Sequence, residues 1–451
     1  MGSDIMRLPF RGGNWNNGAN AGLAALNLNN SRANTNTNIG FRPAFGSSQK
    51  ATPHGALSSA LSKGCRCLGY RRKTEQAAPV RRAADFKALM YDQIISFDNL
   101  HQAALRCLCG KRTSPAALRY MQRLEEHLHD THNHLLHDSY QPGGYEEFYV
   151  FEPKQRLISA PRFVDRVVHR AIMNVLEPAL DPRFIFDSYA CRKGKGVHAG
   201  ANRAQRWMRA IRQAHGPLFC LKADISKYFA SIDHARLKAI LRRHIHCDRT
   251  LRLLDAIIDS SPGRPGVGIP LGNLTSQLFA NLYLNELDRY AKHDLGIRYY
   301  IRYMDDFVVL HHDKAQLQAW RARIEQFLWS ALRLTTNSKT QIFPVGPDNG
   351  RALDFLGYRI YPTHRLLRKN SIKRIRYKLR RFKRAIAAGR LTAGDCRPCI
   401  QSWCAHAAHA NTWRLRCSLF NISRGQIDEL LIRRRNARQL RPGLYGGAGH
   451  E

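Results

Sequence analysis

IRYMDDFVVL, residues 301–310, sets two acidic side chains inside a run of β-branched and aromatic residues. The wider stretch Tyr299–Leu310 has strand composition on both sides of Met304-Asp305-Asp306. It therefore predicts a β-hairpin with the acidic pair at its turn. Asp is a common turn residue, because its short side chain bonds to nearby backbone, so a pair there also has a plain structural explanation. A third carboxylate, Asp224, ends another strand-like run that starts at Leu218-Phe219-Cys220-Leu221.

These carboxylates stand in a chain of the opposite sign. Lys and Arg number 72 against 34 Asp and Glu, for a formal charge of +38 and a pI near 10.4 over 451 residues. Such a surface attracts polyanions in a salt-dependent way, and nucleic acid is the expected partner. No apolar run is long enough to span a bilayer and no signal peptide is apparent, which points to a cytoplasmic protein rather than a membrane one. The 11 cysteines are scattered, which fits reduced thiols better than a disulfide framework.

Outward from the hairpin, the spacing predicts helices over residues 116–137, 162–180, 235–244, 272–287 and 372–388. Interleaved with the strands they give a mixed order, and the expected class is α+β. Residues 1–50 differ: ten Asn lie between Asn14 and Asn38, with Gly and Ala around them. Residues 51–89 read as a basic linker, and globular patterning begins at Met90. The histidines His127, His129, His132, His134 and His137 spread round a predicted helix and read as a solvated face.

Nucleotidyl transfer suits this carboxylate set. Two divalent ions about 4 Å apart stabilise charge on the transferred phosphorus and activate a 3′-hydroxyl. Hard cations such as Mg²⁺ need one or two Asp on rigid elements, with substrate phosphates completing the shell.

Tyr303-Met304-Asp305-Asp306 resembles the palm signature of reverse transcriptases, and LKADISKYFASIDH (221–234) resembles that family's first palm Asp segment. KQRLISAPRFVDR (154–166) is similar to the fingers segment, FDSYACRKGKGVHAG (186–200) to the next block, and Phe355-Leu356-Gly357-Tyr358 to the primer-grip turn. The resemblance spans about residues 90–420 and several ordered motifs. It implies a right-hand polymerase: fingers and palm over 90–360, a small basic α-helical thumb over 361–420, and a basic tail over 421–451. It further implies Asp224, Asp305 and Asp306 as catalytic, with Lys339 of TTNSKTQ as general acid. The metal ligands would be Asp224, Ile225, Asp305 and Asp306, holding two Mg²⁺ with Mn²⁺ as the alternative ion. Lys154 and Arg156 would meet the deoxynucleoside triphosphate, and Phe229 would close against a ribose 2′-hydroxyl. The plain alternatives are a solvated basic face for Lys154, Arg156 and Lys339, and a core aromatic for Phe229.

GIPLGNLTSQLFANLYLNELDRY (268–290) narrows the resemblance. Most of the family has Gln before the Gly and Pro after the Ser; here Leu271 precedes Gly272, and Gln277 follows Ser276. That variant is similar to the polymerases of diversity-generating retroelements. By that resemblance Leu271 contacts the nascent base pair and relaxes fidelity at template adenines; otherwise it is a tolerated apolar substitution. The Asn-rich residues 1–50 resemble a variable repeat of retroelement target proteins. They read as a translated template repeat without a fold of its own, with the start at Met1 or Met90 left open. Implied partners are template RNA, its cDNA and a small basic accessory variability determinant, in a bacterial or phage setting. Rival readings are a group II intron, retron or phage-defence reverse transcriptase, and a non-catalytic RNA-binding protein. Cys396, Cys399 and Cys404 suggest zinc only if a fourth ligand such as His406 or His409 joins them; the thumb-helix reading is preferred.

Overall fold

The computed structural model describes residues 90–111, 113–151, 155–346 and 350–420. Residues 1–89 and 421–451, with Lys154, lie outside the described residues, and so do the readings made on them. A turn and a half of helix over 90–95 buries Tyr91, Ile94 and Ile95 at the start of the described residues.

The N-terminal part is helical. Helix α1 (Phe97–Leu108) is capped by Ser96, whose hydroxyl accepts from the Asn99 amide. The helix predicted over 116–137 is two, α2 (Pro115–Gln122) and α3 (Leu124–Leu136), broken at Arg123 with φ −127° and ψ 43°. Each turns its own face inward: Ala117 and Tyr120 on one, Leu128, Thr131 and Leu135 on the other. Leu118 and Met121, expected in the core stripe, are exposed as a result. The antiparallel hairpin of β1 (Tyr145–Val150) and β2 (Arg156–Pro161) follows, then α4 (Phe163–Leu180), close to its predicted span.

Helix α5 (Val197–His215) leads into β3 (Phe219–Asp224), which ends in a single turn of helix, α6 (Tyr228–Ser231). Helices α7 (His234–His244) and α8 (Asp248–Asp259) come next, α7 started by Asp233, whose side chain accepts from the Arg236 amide. Helix α9 (Leu274–Arg289) is buried on nearly every side, including Asn281, Asn285 and Asp288. The hairpin predicted at 299–310 is present as β4 (Tyr300–Tyr303) and β5 (Asp306–His311). Helix α10 (Lys314–Leu332) and β6 (Gln341–Pro344) complete a four-stranded antiparallel sheet in the order β4-β5-β3-β6.

A second sheet, β7 (Leu353–Phe355), β8 (Tyr358–Ile360) and β9 (Arg365–Leu367), turns at Leu356-Gly357, where both φ values are positive, +52° and +87°. That is the requirement of a two-residue primed turn. Three helices end the described chain: α11 (Lys369–Ala387), α12 (Ala393–Ala407) and α13 (Trp413–Phe420). The architecture is mixed α and β, as expected. The four-stranded sheet separates two cores. One packs Leu221, Tyr300, Phe307 and Val309 against α9 and α10; the other packs Cys220, Ile301, Val308 and Leu310 against α5 and the second sheet.

Candidate active site

The pleat alternates side chains across the sheet, so strand ends rather than faces collect the carboxylates. Asp224 closes β3 directly opposite Asp306, the first residue of β5. Asp306 also pairs with Tyr303 across the two-residue turn Met304-Asp305. The Ile225 amide donates to the Asp305 carbonyl at 3.2 Å, which ties the turn to the end of β3. Met304 has φ +55°, a left-handed conformation that costs a non-glycine residue about 1–3 kcal/mol and persists only where its surroundings enforce it.

Burial, with another carboxylate close by, disfavours the ionised forms of Asp305 and Asp306. Burial first, then Asp224, raises the Asp305 carboxyl to about 6. Burial raises Asp306 to about 7 against the lowering effect of Lys222, with Asp224 and Asp305 adding to the rise. Lys222 Nζ lies 3.8 Å from Asp306 Oδ1, yet that oxygen is buried without a hydrogen-bond partner. A carboxylate cluster with an orphaned oxygen and strained ionisation is what a bound cation would relieve. The donors fit hard divalent ions, although among the described residues no three His, Cys, Asp or Glu side chains form a ready-made cage. Ile225 has a buried side chain, so only its carbonyl oxygen could serve as a ligand.

Of the other sequence candidates, Arg156 and the turn bearing Lys339 are linked to this end of the sheet, and Phe229, Leu271 and Gly272 are linked through one loop. Arg156 opens β2, and its charge is among those lowering Asp305. The GIPLG loop lies on β2: the Ser159 amide donates to the Leu271 carbonyl at 3.0 Å. Gly272, at φ +127°, passes so close that an added Cβ would sit 2.9 Å from the Ser159 carbonyl oxygen. Leu271 and Gln277 are half-buried. Phe229 is half-buried in α6 against Tyr228, and its carbonyl accepts from the Ile269 amide at 2.9 Å, which links it to the same loop. Lys339 is exposed on a turn, but that turn touches the site through its backbone: the Asn337 amide donates to the Asp224 carbonyl, and Ser226 donates to the Thr335 carbonyl at 2.9 Å. At the turn read as a primer grip, Phe355 and Tyr358 are fully buried and Leu356 nearly so; Tyr358 hydroxyl meets His198 Nδ1 at 2.9 Å and His406 Nδ1 at 3.2 Å. Cys396, Cys399 and Cys404 lie along α12.

Sequence reasoning missed Arg302, Asp288 and Asn281, a fully buried polar group beneath the turn. Its signal was present: an Arg inside an apolar strand run, and Asn and Asp within an otherwise apolar helix pattern. No helix among the described residues is long and apolar enough to cross a membrane.

Comparison with known proteins matches residues 151–360 to the family model described as reverse transcriptase (RNA-dependent DNA polymerase). Protein YkfC of Escherichia coli (strain K12) is 29% identical over 290 residues, which cover 55% of this chain and 73% of that protein. The group II intron-encoded protein LtrA of Lactococcus lactis subsp. cremoris is 24% identical over 166 residues, 35% of this chain and 27% of its own length. Among solved structures, apo telomerase from Candida tropicalis truncated from the C-terminal domain aligns with a TM-score of 0.41 and 11% identity, covering 50% of this chain and 55% of that one. The chain thus spans about a quarter of the intron-encoded protein and about half of the telomerase.

Proposed function

We propose, from the premise that residues 151–360 are a reverse transcriptase (RNA-dependent DNA polymerase) domain, that this chain extends a DNA strand on an RNA template through Asp224, Asp305 and Asp306. The observation that supports the residue assignment is the pairing of Asp224 with Asp306 across β3 and β5, with Asp305 on the turn between β4 and β5. Two divalent cations, Mg²⁺ or Mn²⁺, would supply phosphoryl charge stabilisation and 3′-hydroxyl activation there. Asp224 and Asp305 would hold them, with Asp306 and the Ile225 carbonyl assisting. Arg156 places positive charge near Asp305, where a triphosphate would carry its negative charge. On this reading Lys339 would hold or give a proton at a leaving pyrophosphate, and Phe229 would crowd a ribose 2′-hydroxyl. Template RNA and deoxynucleoside triphosphates are the substrates on this reading.

The test is primer extension on an RNA template by the wild type and by Asp305→Asn. Loss of extension with RNA binding retained is the expected result; normal extension by the variant would remove Asp305 from the metal site.

Among kinds of reverse transcriptase, the similarity to a group II intron-encoded protein favours an intron- or retron-type enzyme. A second reading, a diversity-generating retroelement enzyme that is error-prone at template adenines and works with a small basic accessory variability determinant, draws on Leu271 and Gln277. The nucleotide sequence beside the gene separates the two. A near-copy of the first 50 codons, differing mainly at adenines, would support the second reading, and its absence the first.

A further inference from the structure

Strand β4 is buried along Tyr300, Ile301 and Arg302, and neither Arg302 nor its partner Asp288 has any exposed side-chain surface. Burying an ion pair is costly, and a packed apolar pair of similar volume is often at least as stable. A charge kept at this position therefore calls for a reason beyond filling the core.

Most of the guanidinium is committed to neighbouring side chains. Nε donates to Asp288 Oδ1 at 2.7 Å and Nη2 to Asp288 Oδ2 at 2.6 Å, the two-pronged geometry that a planar fork allows. Nη1 reaches Asn281 Oδ1 at 3.2 Å, and Nη2 reaches Ser188 Oγ at 3.3 Å. Asp288 is itself braced by the Tyr300 hydroxyl at 2.8 Å. These bonds fix the orientation of the fork. One bond leaves the cluster: Nη1 donates to the Met304 carbonyl at 3.0 Å. Met304 is the left-handed residue of the turn and directly precedes Asp305. The backbone of the same Arg is held too, its amide donating to the Asp187 carbonyl at 3.0 Å and its carbonyl accepting from the Tyr189 amide at 3.0 Å. A buried, immobile donor thus holds the strained peptide that carries the acidic pair.

We propose that Arg302, oriented by Asp288 and Asn281, is a positioning residue that fixes the Met304 carbonyl and so sets the placement of Asp305 and Asp306 against Asp224. The inference rests on the reading of those three carboxylates as the ion-binding group. Lysine cannot replace the fork, since one ammonium cannot engage both Asp288 oxygens in plane and still aim a fixed donor at the turn.

The experiment uses the full chain, with Arg302→Lys, with Arg302→Met combined with Asp288→Met, and with Asp305→Asn as control. Mn²⁺ binding is measured by electron paramagnetic resonance without nucleic acid, beside thermal melting and the Mg²⁺ dependence of primer extension. Expected is cooperative melting in at least one Arg302 variant, with Mn²⁺ affinity weakened about tenfold or more, the scale seen when a ligand loses its supporting partner. The Mg²⁺ needed for half-maximal extension rises in parallel. Wild-type Mn²⁺ affinity in a folded variant overturns the proposal. So does loss of cooperative melting in both variants, which assigns the network to stability alone. Undiminished Mn²⁺ binding by Asp305→Asn removes the carboxylate reading itself, and the proposal with it.

Discussion

Asp305→Asn keeps the shape of the side chain and removes its charge, so it separates ion binding from turn structure. Extension should fall by at least about a hundredfold, the scale set by losing a ligand of an ion that stabilises the transferring phosphoryl group. RNA binding, measured by filter retention, should stay near wild type, because backbone contacts from a basic surface carry most of it. Leu271 offers a second residue-scale test. Its backbone is pinned to β2 by the Ser159 amide, so a substitution changes the side chain against a fixed main chain. Gln at 271 would introduce an amide able to bond a correctly seated substrate, and a misaligned pair would leave that amide unsatisfied at a cost of about 1–3 kcal/mol. Misincorporation opposite adenine should then drop by several-fold to about a hundredfold. Sequencing of cDNA made by both enzymes on an adenine-rich template decides; an unchanged spectrum in an active variant takes Leu271 out of the fidelity reading.

At the scale of elements, α4 and α9 meet through a buried histidine. His169 Nδ1 lies 3.1 Å from Thr275 Oγ1, and burial lowers its pKa from 6.5 to about 4. The folded state therefore holds the ring neutral where the unfolded chain would protonate it. Between those two values the unfolded chain binds more protons, so stability is fully present above pH 6.5 and is lost as pH falls toward 4. The shift corresponds to roughly 3 kcal/mol at most. His169→Gln keeps a polar partner for Thr275 but cannot titrate, so its melting temperature should fall less between pH 7 and 5 than that of the wild type. Parallel melting curves for the two proteins across that range would exclude His169 as a source of acid sensitivity.

For the whole molecule, the first core residues among those described are Tyr91, Ile94 and Ile95, immediately after Met90. A chain starting at Met90 should fold and extend primers at a rate within a few-fold of the full chain when RNA is supplied separately. Loss of soluble, active protein on that truncation would place essential structure before residue 90. The charge of +38 belongs to this scale as well. It bears on nucleic-acid attraction and its salt dependence, while the fold follows from the two cores on either side of the central sheet.

Local pattern determined much of this. A run of β-branched and aromatic residues marked the β4–β5 hairpin, the acidic pair marked its turn to within one residue, and helical patterning marked α4, α7, α9 and α11 near their observed spans. Those signals depend on near neighbours in the chain, so a sequence carries them in full. Other features depend on contacts between distant segments. Helices α5 and α10 escaped detection, since apolar residues are diluted by exposed Arg and Gln and only packing on the sheet selects their inner faces. The break at Arg123 arose because α2 and α3 bury different faces. The pairing of Asp224 with Asp306 joins residues 82 positions apart, as 306 minus 224, and only strand register brings them opposite. Arg302 shows the same division: its type and place in a strand were legible, but its hold on Met304 exists only once α9 supplies Asp288 and Asn281 to orient the guanidinium.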